Sequence, residues 1–415
     1  MESCLKFGKH YAGSIVGVIG VVLSSQSGAV ESDPFGIEGA GFSSSFRPSF
    51  EVTHEYDTNP YRSSLPDANV YDWMTVFSPG LAGDLRNNFM EVGIDATVHG
   101  GVSAEYEVRD FTDSTLSADA LLKAGSRHRV GLILGHSSLH EDMGTGLTEG
   151  RPFVAGEPLQ YDTDRAEGFY RLGSDFSEGN LRLSGTYYKK RYTNFGSLTS
   201  RNDYHSTELK SIFDWRVGSR TNLEFELSTR DIDYEIDPAP AAGTLDTLDN
   251  TTNEFLGGVR WNPGGKTEAG VLVGLRKKQF IDPDREDFFG SSWRINMQWA
   301  PREHQQFTMS TTREDRETNG DGSFIDAEVL RAGWELDWTT RISSRLGVEF
   351  TRESYAGTAD ARRDKSKQYT AAIDYRFQRW LDMGVALKQE DHLSTRDDRA
   401  YERVTAMFSI SVLSQ

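Results

Sequence analysis

Residues 330–338 read LRAGWELDW, and this stretch decides the fold of the chain. Apolar side chains occupy every second position from Leu330 to Trp338. The positions between them hold a glycine and charged residues such as Arg331 and Glu335. Because successive side chains of a β-strand point to opposite faces, the segment predicts a strand with one apolar and one charged face.

The same alternation recurs along almost the whole chain, for example in residues 293–299, WRINMQW. The apolar rows carry aromatic residues near their ends, and the opposite rows carry full charges. A transmembrane β-barrel requires this pattern, because its outer face meets lipid and its inner face meets water. We predict an all-β fold, a transmembrane antiparallel up-and-down β-barrel of about 18 strands. The strands lie near residues 46–58, 70–84, 87–109, 112–124, 127–142, 161–176, 180–194, 202–218, 220–236, 250–262, 266–281, 285–300, 303–317, 324–340, 343–356, 367–380, 382–392 and 401–413.

The connections between these strands alternate in length. Tight turns rich in Gly, Asn, Pro and Asp, such as residues 84–87 and 262–265, alternate with longer links such as residues 59–69 and 143–160. Outer-membrane barrels have short periplasmic turns and longer extracellular loops. The pattern therefore predicts that both the N- and the C-terminus lie in the periplasm.

The first residues predict the compartment. Lys6 and Lys9 precede a short apolar run at residues 14–23, and small residues follow at 27–29. This is typical of a secretory signal. The alternative is a single membrane anchor, but the run is about half the spanning length. We expect a signal peptide at 1–29, a short periplasmic lead at 30–45 and an outer-membrane β-barrel at 46–415.

The composition excludes several kinds of partner and site. Asp and Glu (63) outnumber Lys and Arg (45), and the formal net charge of −18 argues against nucleic acid as a partner. The mean hydropathy of −0.55 would suggest a soluble chain, but barrel strands expose only alternate residues to lipid. Cys4 is the only cysteine and falls in the expected signal peptide, so we expect neither a disulfide nor a thiolate metal site.

The predicted lipid face carries aromatic residues where a membrane interface would lie. Four tryptophans fall within a few residues of a short turn and would form the periplasmic aromatic girdle: Trp215, Trp261, Trp299 and Trp338. In residues 223–236 the apolar positions shift from odd to even near Arg230 and Asp231. We interpret this shift as the strand leaving the bilayer or as a β-bulge.

The opposite face would line the lumen, and it carries charges of both signs. One interpretation is a polar conduit whose charges guide a solute; the other is a set of cross-strand ion pairs that stiffen a wet wall. The candidate lumen-lining residues are Glu51, Glu55, Arg182, Lys210, Asp214, Arg216, Glu254, Arg260, Arg276, Arg294, Arg331, Glu335, Asp337, Glu349, Asp374 and Arg376.

Neither catalysis nor a metal site is strongly indicated. Residues 135–142 gather His, Ser and acidic residues, but alternation places His136 and Ser137 on opposite faces, so we predict no catalytic residues and no cofactor. Residues 317–328 approach a calcium-loop pattern, although Asn-Gly-Asp-Gly is also a favoured hairpin turn. The weak metal candidates are Glu317, Asn319, Asp321 and Glu328.

Three stretches resemble a known family. They are residues 46–62 (FRPSFEVTHEYDTNPYR), 75–81 (TVFSPGL) and 375–385 (YRFQRWLDMGV). They are similar to strands of the outer-membrane β-barrel porins associated with exopolysaccharide and capsule gene clusters of Gram-negative bacteria. The chain departs from many outer-membrane barrels in ending on Ser414 and Gln415 rather than on the aromatic residue that the insertion machinery reads.

The resemblance implies a function and a set of partners. It implies a channel that exports an exopolysaccharide or capsular polysaccharide across the outer membrane. The partners would be outer-membrane lipid, the polysaccharide substrate, periplasmic and inner-membrane polysaccharide export proteins, and the barrel-insertion machinery.

Three alternatives remain open. A general diffusion porin for small solutes would have the same fold with a constriction, for which the loop at residues 143–160 is the best candidate. A barrel whose extracellular loops bind a surface partner would serve as an adhesin. A soluble all-β protein is the third.

Overall fold

A computed structural model describes residues 42–65, 68, 70–174, 177–235 and 247–413. The expected signal peptide at 1–29 lies outside the described residues. Within the described residues, eighteen strands follow one another: β1 (Ser43–Asp57), β2 (Asp72–Arg86), β3 (Met90–Ser103), β4 (Phe111–Ala124), β5 (His128–Glu141), β6 (Leu159–Leu172), β7 (Gly179–Tyr192), β8 (Tyr204–Gly218), β9 (Thr221–Tyr234), β10 (Asn250–Trp261), β11 (Thr267–Phe280), β12 (Phe288–Arg302), β13 (Gln305–Glu317), β14 (Phe324–Asp337), β15 (Ile342–Ala356), β16 (Arg363–Gln378), β17 (Leu381–Ser394) and β18 (Tyr401–Leu413). One short α-helix, α1 (Gly196–Thr199), lies between β7 and β8.

The strands form one closed antiparallel sheet. Each strand pairs with its neighbours in sequence, and β1 pairs with β18 from Ser49↔Leu413 to Asp57↔Thr405. Closure leaves no strand edge unpaired, which a sheet surrounded by lipid requires. The predicted up-and-down barrel of about 18 strands is therefore confirmed.

Alternation gives the wall two different faces. On β11, the side chains of Val271, Val273 and Leu275 are exposed, whereas those of Leu272 and Arg276 on the opposite face are buried. The exposed row carries aromatic residues near the short connections, where four side chains are each more than two-fifths exposed: Trp215, Trp261, Trp299 and Trp338. These side chains occupy the positions expected of the aromatic girdle.

Strand β9 keeps a single phase past Arg230 and Asp231, so the interpretation of a β-bulge there is wrong, and the alternative that the strand leaves the bilayer at this point stays a prediction. It pairs with β10 without a register shift from Thr221↔Trp261 to Ile232↔Asn250. Ile232 and Tyr234 are buried on the same face as Glu224 and Glu226. The apolar residues shift from odd to even positions because, in this part of β9, they pack inside the barrel.

Short connections lie at one end of the barrel and longer ones at the other, as the sequence predicts. Ser219 and Arg220 alone join β8 to β9, and the other short connections lie at the same end, the short-turn end. The opposite end, the long-loop end, carries the connection at 142–158 between β5 and β6 and the connections around it. Strand β16 begins at Arg363, earlier than expected, so the β15–β16 connection at the long-loop end spans only residues 357–362. Among the described residues, no helix has the length and apolar character of a membrane span.

Candidate functional site

The charged residues opposite the exposed apolar row contact each other across non-neighbouring strands. Arg294 on β12 donates to Glu226 on β9 at 2.9 Å, and Lys210 on β8 lies 2.9 Å from the same carboxylate. Strands β9 and β12 are separated by two others. Side chains can meet across them only on the concave face of the sheet, which places this cluster inside the barrel.

Most of the candidate lumen-lining residues have a partner of opposite charge within 4 Å. They are Glu55, Arg182, Lys210, Arg260, Arg276, Arg294, Arg331, Glu349, Asp374 and Arg376. Glu51 and Glu254 accept hydrogen bonds from Ser411 and Ser292. Asp214, Glu335 and Asp337 form no ion pair with another described residue, whereas Arg216 does have an interaction partner. The pairs fit a stiffened wet wall, and the part that these residues play in conduction stays a prediction.

The connection at residues 142–158, which we name the crossing loop, is held at its start by charge. Asp142 lies 2.9 Å from Arg62 and accepts from His140 at 3.2 Å. Burial acts to raise the pKa of Asp142, but Arg62 and His140 lower it by more, so it lies well below its ordinary value. Asp142 is therefore ionised throughout the range in which proteins function.

Glu149, in the middle of the crossing loop, is bound by residues from the far side of the barrel. Its carboxylate accepts from Arg362 at 2.6 Å, from Asn319 at 2.9 Å and from Arg399 at 3.1 Å. These three residues lie in the connections β15–β16, β13–β14 and β17–β18, whereas the crossing loop leaves β5 about half the ring away. The crossing loop therefore bridges the mouth of the barrel at the long-loop end.

A second carboxylate holds the arginines that bind Glu149. Asp321 lies 2.7 Å from Arg362, 2.9 Å from Arg396 and 3.2 Å from Arg399. Burial acts to raise the pKa of Asp321, and these three guanidinium groups together lower it below its ordinary value. A buried guanidinium needs such partners, because an unpaired charge is costly away from water. We name Glu149, Asp321, Arg362 and Arg399 the clasp.

Two glycines allow the crossing loop to approach its neighbours closely. Gly144 has φ +83°, and a Cβ atom there would lie 1.8 Å from the backbone oxygen of Tyr61. Gly150 has φ +72°, and its Cβ would lie 2.6 Å from Cδ of Arg399. Only glycine combines this backbone conformation with such contacts.

An aromatic row runs beneath the crossing loop on the inner face of β6 to β9. Ring centroids of Tyr161 and Tyr192 are 5.6 Å apart, and those of Tyr204 and Tyr234 are 5.4 Å apart. Leu147 of the crossing loop packs with Tyr161 and Tyr192 in one buried cluster. We name Tyr161, Tyr188, Tyr192, Tyr204 and Tyr234 the tyrosine row.

The weak metal candidates do not converge on one point. Glu317 is hydrogen-bonded to Lys278 and Tyr234, Asn319 to Glu149, and Asp321 to arginines, while Glu328 lies 4.0 Å from Arg313. Among the described residues, Glu149, Asp364 and His392 do offer three ligand atoms within 4.8 Å of one another. Arg362 bonds both carboxylates, however, and its charge disfavours a cation there.

The sequence predicted the crossing loop as a candidate constriction, but it did not predict the clasp that holds this loop. Glu149 lies 213 positions from Arg362 and 250 from Arg399. No spacing or motif links residues so far apart. Gly144, Gly146 and Gly150 within a few residues of one another are the one local signal that this loop packs closely.

The closed barrel with an apolar outer face, a charged inner face and a bridged mouth defines the class of outer-membrane porins. The family described as "Putative beta-barrel porin 2" matches residues 32–413. The chain belongs to this family and is an outer-membrane β-barrel of a Gram-negative bacterium. The family and the fold indicate a channel rather than an enzyme. No curated protein matches the sequence significantly.

Several solved structures are similar to this chain at low sequence identity. The FrpB iron transporter from Neisseria meningitidis has 10% identity and TM-score 0.47, over 85% of this chain and 63% of its own. The chain thus spans less than two thirds of the length of FrpB. OpdK from Pseudomonas aeruginosa has 10% identity and TM-score 0.47, over 89% and 98% of the two chains. A BenF-like porin from Pseudomonas fluorescens Pf-5 has 9% identity and TM-score 0.47, over 88% and 98%.

Proposed function

We propose that this protein is a diffusion channel for small polar solutes, constricted at the long-loop end by the crossing loop. The observation that carries the proposal is the set of contacts from Glu149 to Arg362, Asn319 and Arg399 across the mouth. A loop held there narrows the entrance to the barrel, which favours small solutes over larger ones. The lumen-lining residues supply a polar, charged wall along which such solutes remain hydrated.

The orientation is part of the proposal. The long-loop end, with the crossing loop, faces the outside of the cell, and the short-turn end and both termini face the periplasm. The lengths of the connections support this orientation, because outer-membrane barrels have short turns on the periplasmic side and longer loops on the outside.

The test is the conductance of the purified protein in planar bilayers. We expect small, stable steps for the natural chain and larger steps for Glu149→Gln, which removes the charge that binds Arg362 and Arg399. The matched control is Glu157→Gln, an exposed position of the same loop. Absence of conductance in all three proteins would refute the channel, and equal steps in all three would refute the constriction.

The second candidate is export of an exopolysaccharide or capsular polysaccharide. The tyrosine row favours it, because tyrosine combines an apolar ring face with a hydroxyl group and so matches the two kinds of surface on a sugar. Polymer passage would require release of the clasp, which would uncover Tyr161 and Tyr192. Periplasmic and inner-membrane export proteins would then deliver the chain, and the barrel-insertion machinery would place the protein in the membrane.

Deletion of the gene separates the two functions. If the protein exports polysaccharide, deletion abolishes surface polysaccharide, and the natural gene restores it. If the protein admits small solutes, surface polysaccharide is unchanged and the uptake of small sugars into swelling liposomes depends on the purified protein. Replacing Tyr161 and Tyr192 with Leu would reduce export while leaving chloride conductance intact.

A further inference from the structure

Four basic side chains lie together on the outer wall of the barrel, toward the long-loop end. Arg363, Lys365 and Lys367 occupy alternate positions at the start of β16, and Arg352 on β15 stands directly opposite Lys365. Because side chains two positions apart share a face of a strand, they point outward with the exposed side chain of Ile373 further along β16. All four side chains are exposed, and we name them the basic patch.

The charges of the basic patch are not neutralised by neighbouring side chains. None of its four side chains forms an ion pair or a hydrogen bond with another described residue. Two acidic residues stand beside it on the adjacent strands: Glu328 on β14, opposite Arg352, and Asp391 on β17, opposite Lys367. Like charges in direct register, such as those of Arg352 and Lys365, repel each other and destabilise the sheet. An anion bound between them would remove this repulsion.

Elsewhere on the outer wall, charged residues near the long-loop ends of the strands are paired. Lys189 on β7 lies 2.7 Å from Glu235, and His136 on β5 lies 2.8 Å from Asp164 on β6. A group of unpaired basic side chains is therefore not a general property of this end of the wall. It distinguishes the surface of β15 and β16.

The basic patch lies at the edge of the surface that contacts lipid. Below it on β16, the side chains of Tyr369, Ile373 and Phe377 are exposed. The ten residues from Lys367 to Phe377 cover about 34 Å at about 3.4 Å each. A strand tilt of about 40° reduces this length to about 26 Å along the membrane normal, and the apolar band of an outer-membrane barrel is about 25 Å tall. Lys367 therefore lies where the acyl chains end and the lipid headgroups begin.

We propose that the basic patch binds a phosphorylated lipid of the outer leaflet, with the phosphate groups between the basic side chains and the acyl chains along the apolar row below. Guanidinium and ammonium groups bind phosphate through charge-assisted hydrogen bonds. The rings of Phe350 and Tyr369 pack edge to face, with centroids 6.2 Å apart, and offer an apolar surface just below the patch.

The location of the basic patch indicates which lipid it binds. The assignment rests on the proposed orientation, in which the long-loop end faces the outside of the cell. The outer leaflet of a Gram-negative outer membrane is built largely of lipid A, a glycolipid that carries phosphate groups and several acyl chains. The basic patch then faces the phosphate groups of lipid A at the height of its headgroup.

The test is native mass spectrometry of the delipidated full chain in detergent, titrated with lipid A, phosphatidylglycerol or inorganic phosphate. We expect lipid A to bind at least tenfold more tightly than phosphatidylglycerol. Inorganic phosphate at the same concentration should not displace it, because the acyl chains contribute to binding. The double variant Arg352→Gln with Lys365→Gln should weaken lipid A binding about 25-fold, because each basic residue at an anionic lipid surface contributes about fivefold.

The matched control is the double variant Lys189→Gln with Arg191→Gln, which removes two outward charges from β7 and should leave lipid A binding unchanged. Equal binding of lipid A and phosphatidylglycerol, or an equal loss in the two double variants, would overturn the proposal. Displacement of lipid A by inorganic phosphate would overturn it as well, because the site would then recognise a simple anion.

A separate experiment tests the orientation on which the proposal rests. Intact cells that carry Glu157→Cys, an exposed position of the crossing loop, should react with a membrane-impermeant maleimide. Absence of labelling would refute the orientation and with it the assignment to the outer leaflet. Labelling without selective binding of lipid A would refute the lipid site alone, and a protein that binds lipid A as expected but never conducts would refute the channel alone.

Discussion

Arg362 is the residue on which the bridged mouth depends most. Its side chain is completely buried and bonds Glu149, Asp321 and Asp364, and its Cζ lies 3.9 Å from the ring centroid of Tyr355. The three carboxylates would repel one another without it. Removing one partner from a buried ionic cluster is far more costly than removing an exposed pair, about 3–5 kcal/mol compared with about 0–1 kcal/mol.

The substitution Arg362→Met tests this dependence. It keeps an apolar stem but leaves the buried carboxylates unpaired, so the crossing loop should detach. Thermolysin cleavage next to Phe153, whose side chain is half exposed, should then become about 100-fold faster or more, as follows from a loss of about 3 kcal/mol or more. Arg363→Met is the control, because Arg363 is exposed beside it. Equal cleavage rates in both variants would show that the clasp does not hold the loop.

At the scale of the element, the crossing loop is positioned by backbone shape as much as by charge. Gly144 and Gly156 both have positive φ, but only Gly144 approaches another backbone, that of Tyr61. Gly144→Ala should therefore displace the loop and enlarge the conductance, whereas Gly156→Ala should cost only the left-handed strain, about 1–2 kcal/mol. Unchanged conductance in Gly144→Ala would show that the loop can dock without this contact.

The crossing loop should also respond to acid. The folded pKa values of Asp142 and Asp321 are lowered, so both carboxylates contribute stability above their unfolded pKa, about 4. That contribution is lost as the pH falls below about 4 toward the folded values. We expect constant conductance from pH 7 to about pH 5 and an increase below about pH 4. In Asp142→Asn the increase should be smaller, and a transition centred near pH 6 would contradict this assignment.

The fold could be predicted from the sequence because its cause is local. Alternation within each strand, as in residues 330–338, and turn residues such as those at 262–265 are visible within a few positions. In strand β9 the alternation is misleading, because the side chains of Ile232 and Tyr234 pack inside the barrel and do not face lipid. The clasp is harder still, because closure of the ring, and not sequence proximity, brings Glu149 to Arg362.

At the scale of the whole molecule, closure joins the two ends of the chain. Arg403 on β18 bonds Asp57 on β1 at 2.6 Å, and it also lies 3.4 Å from Glu55. This buried pair sits at the long-loop end of the β1–β18 seam, beside the segment that carries Arg62. The last strand of the described chain therefore also supports the segment that holds the crossing loop.

The seam gives a prediction for the intact barrel. A closed barrel resists detergent until it is heated, so the natural protein should migrate faster in a detergent gel before boiling than after it. Arg403→Met leaves Asp57 buried without its partner, at a cost of about 3–5 kcal/mol. Its shift to slow migration should therefore occur at a temperature several degrees lower than in the natural chain, while Arg302→Met, at the short-turn end, should shift with the natural chain. If Arg302→Met also shifts at a lower temperature, the effect is not specific to the β1–β18 seam. If all three proteins shift at the same temperature, main-chain pairing alone holds the barrel closed.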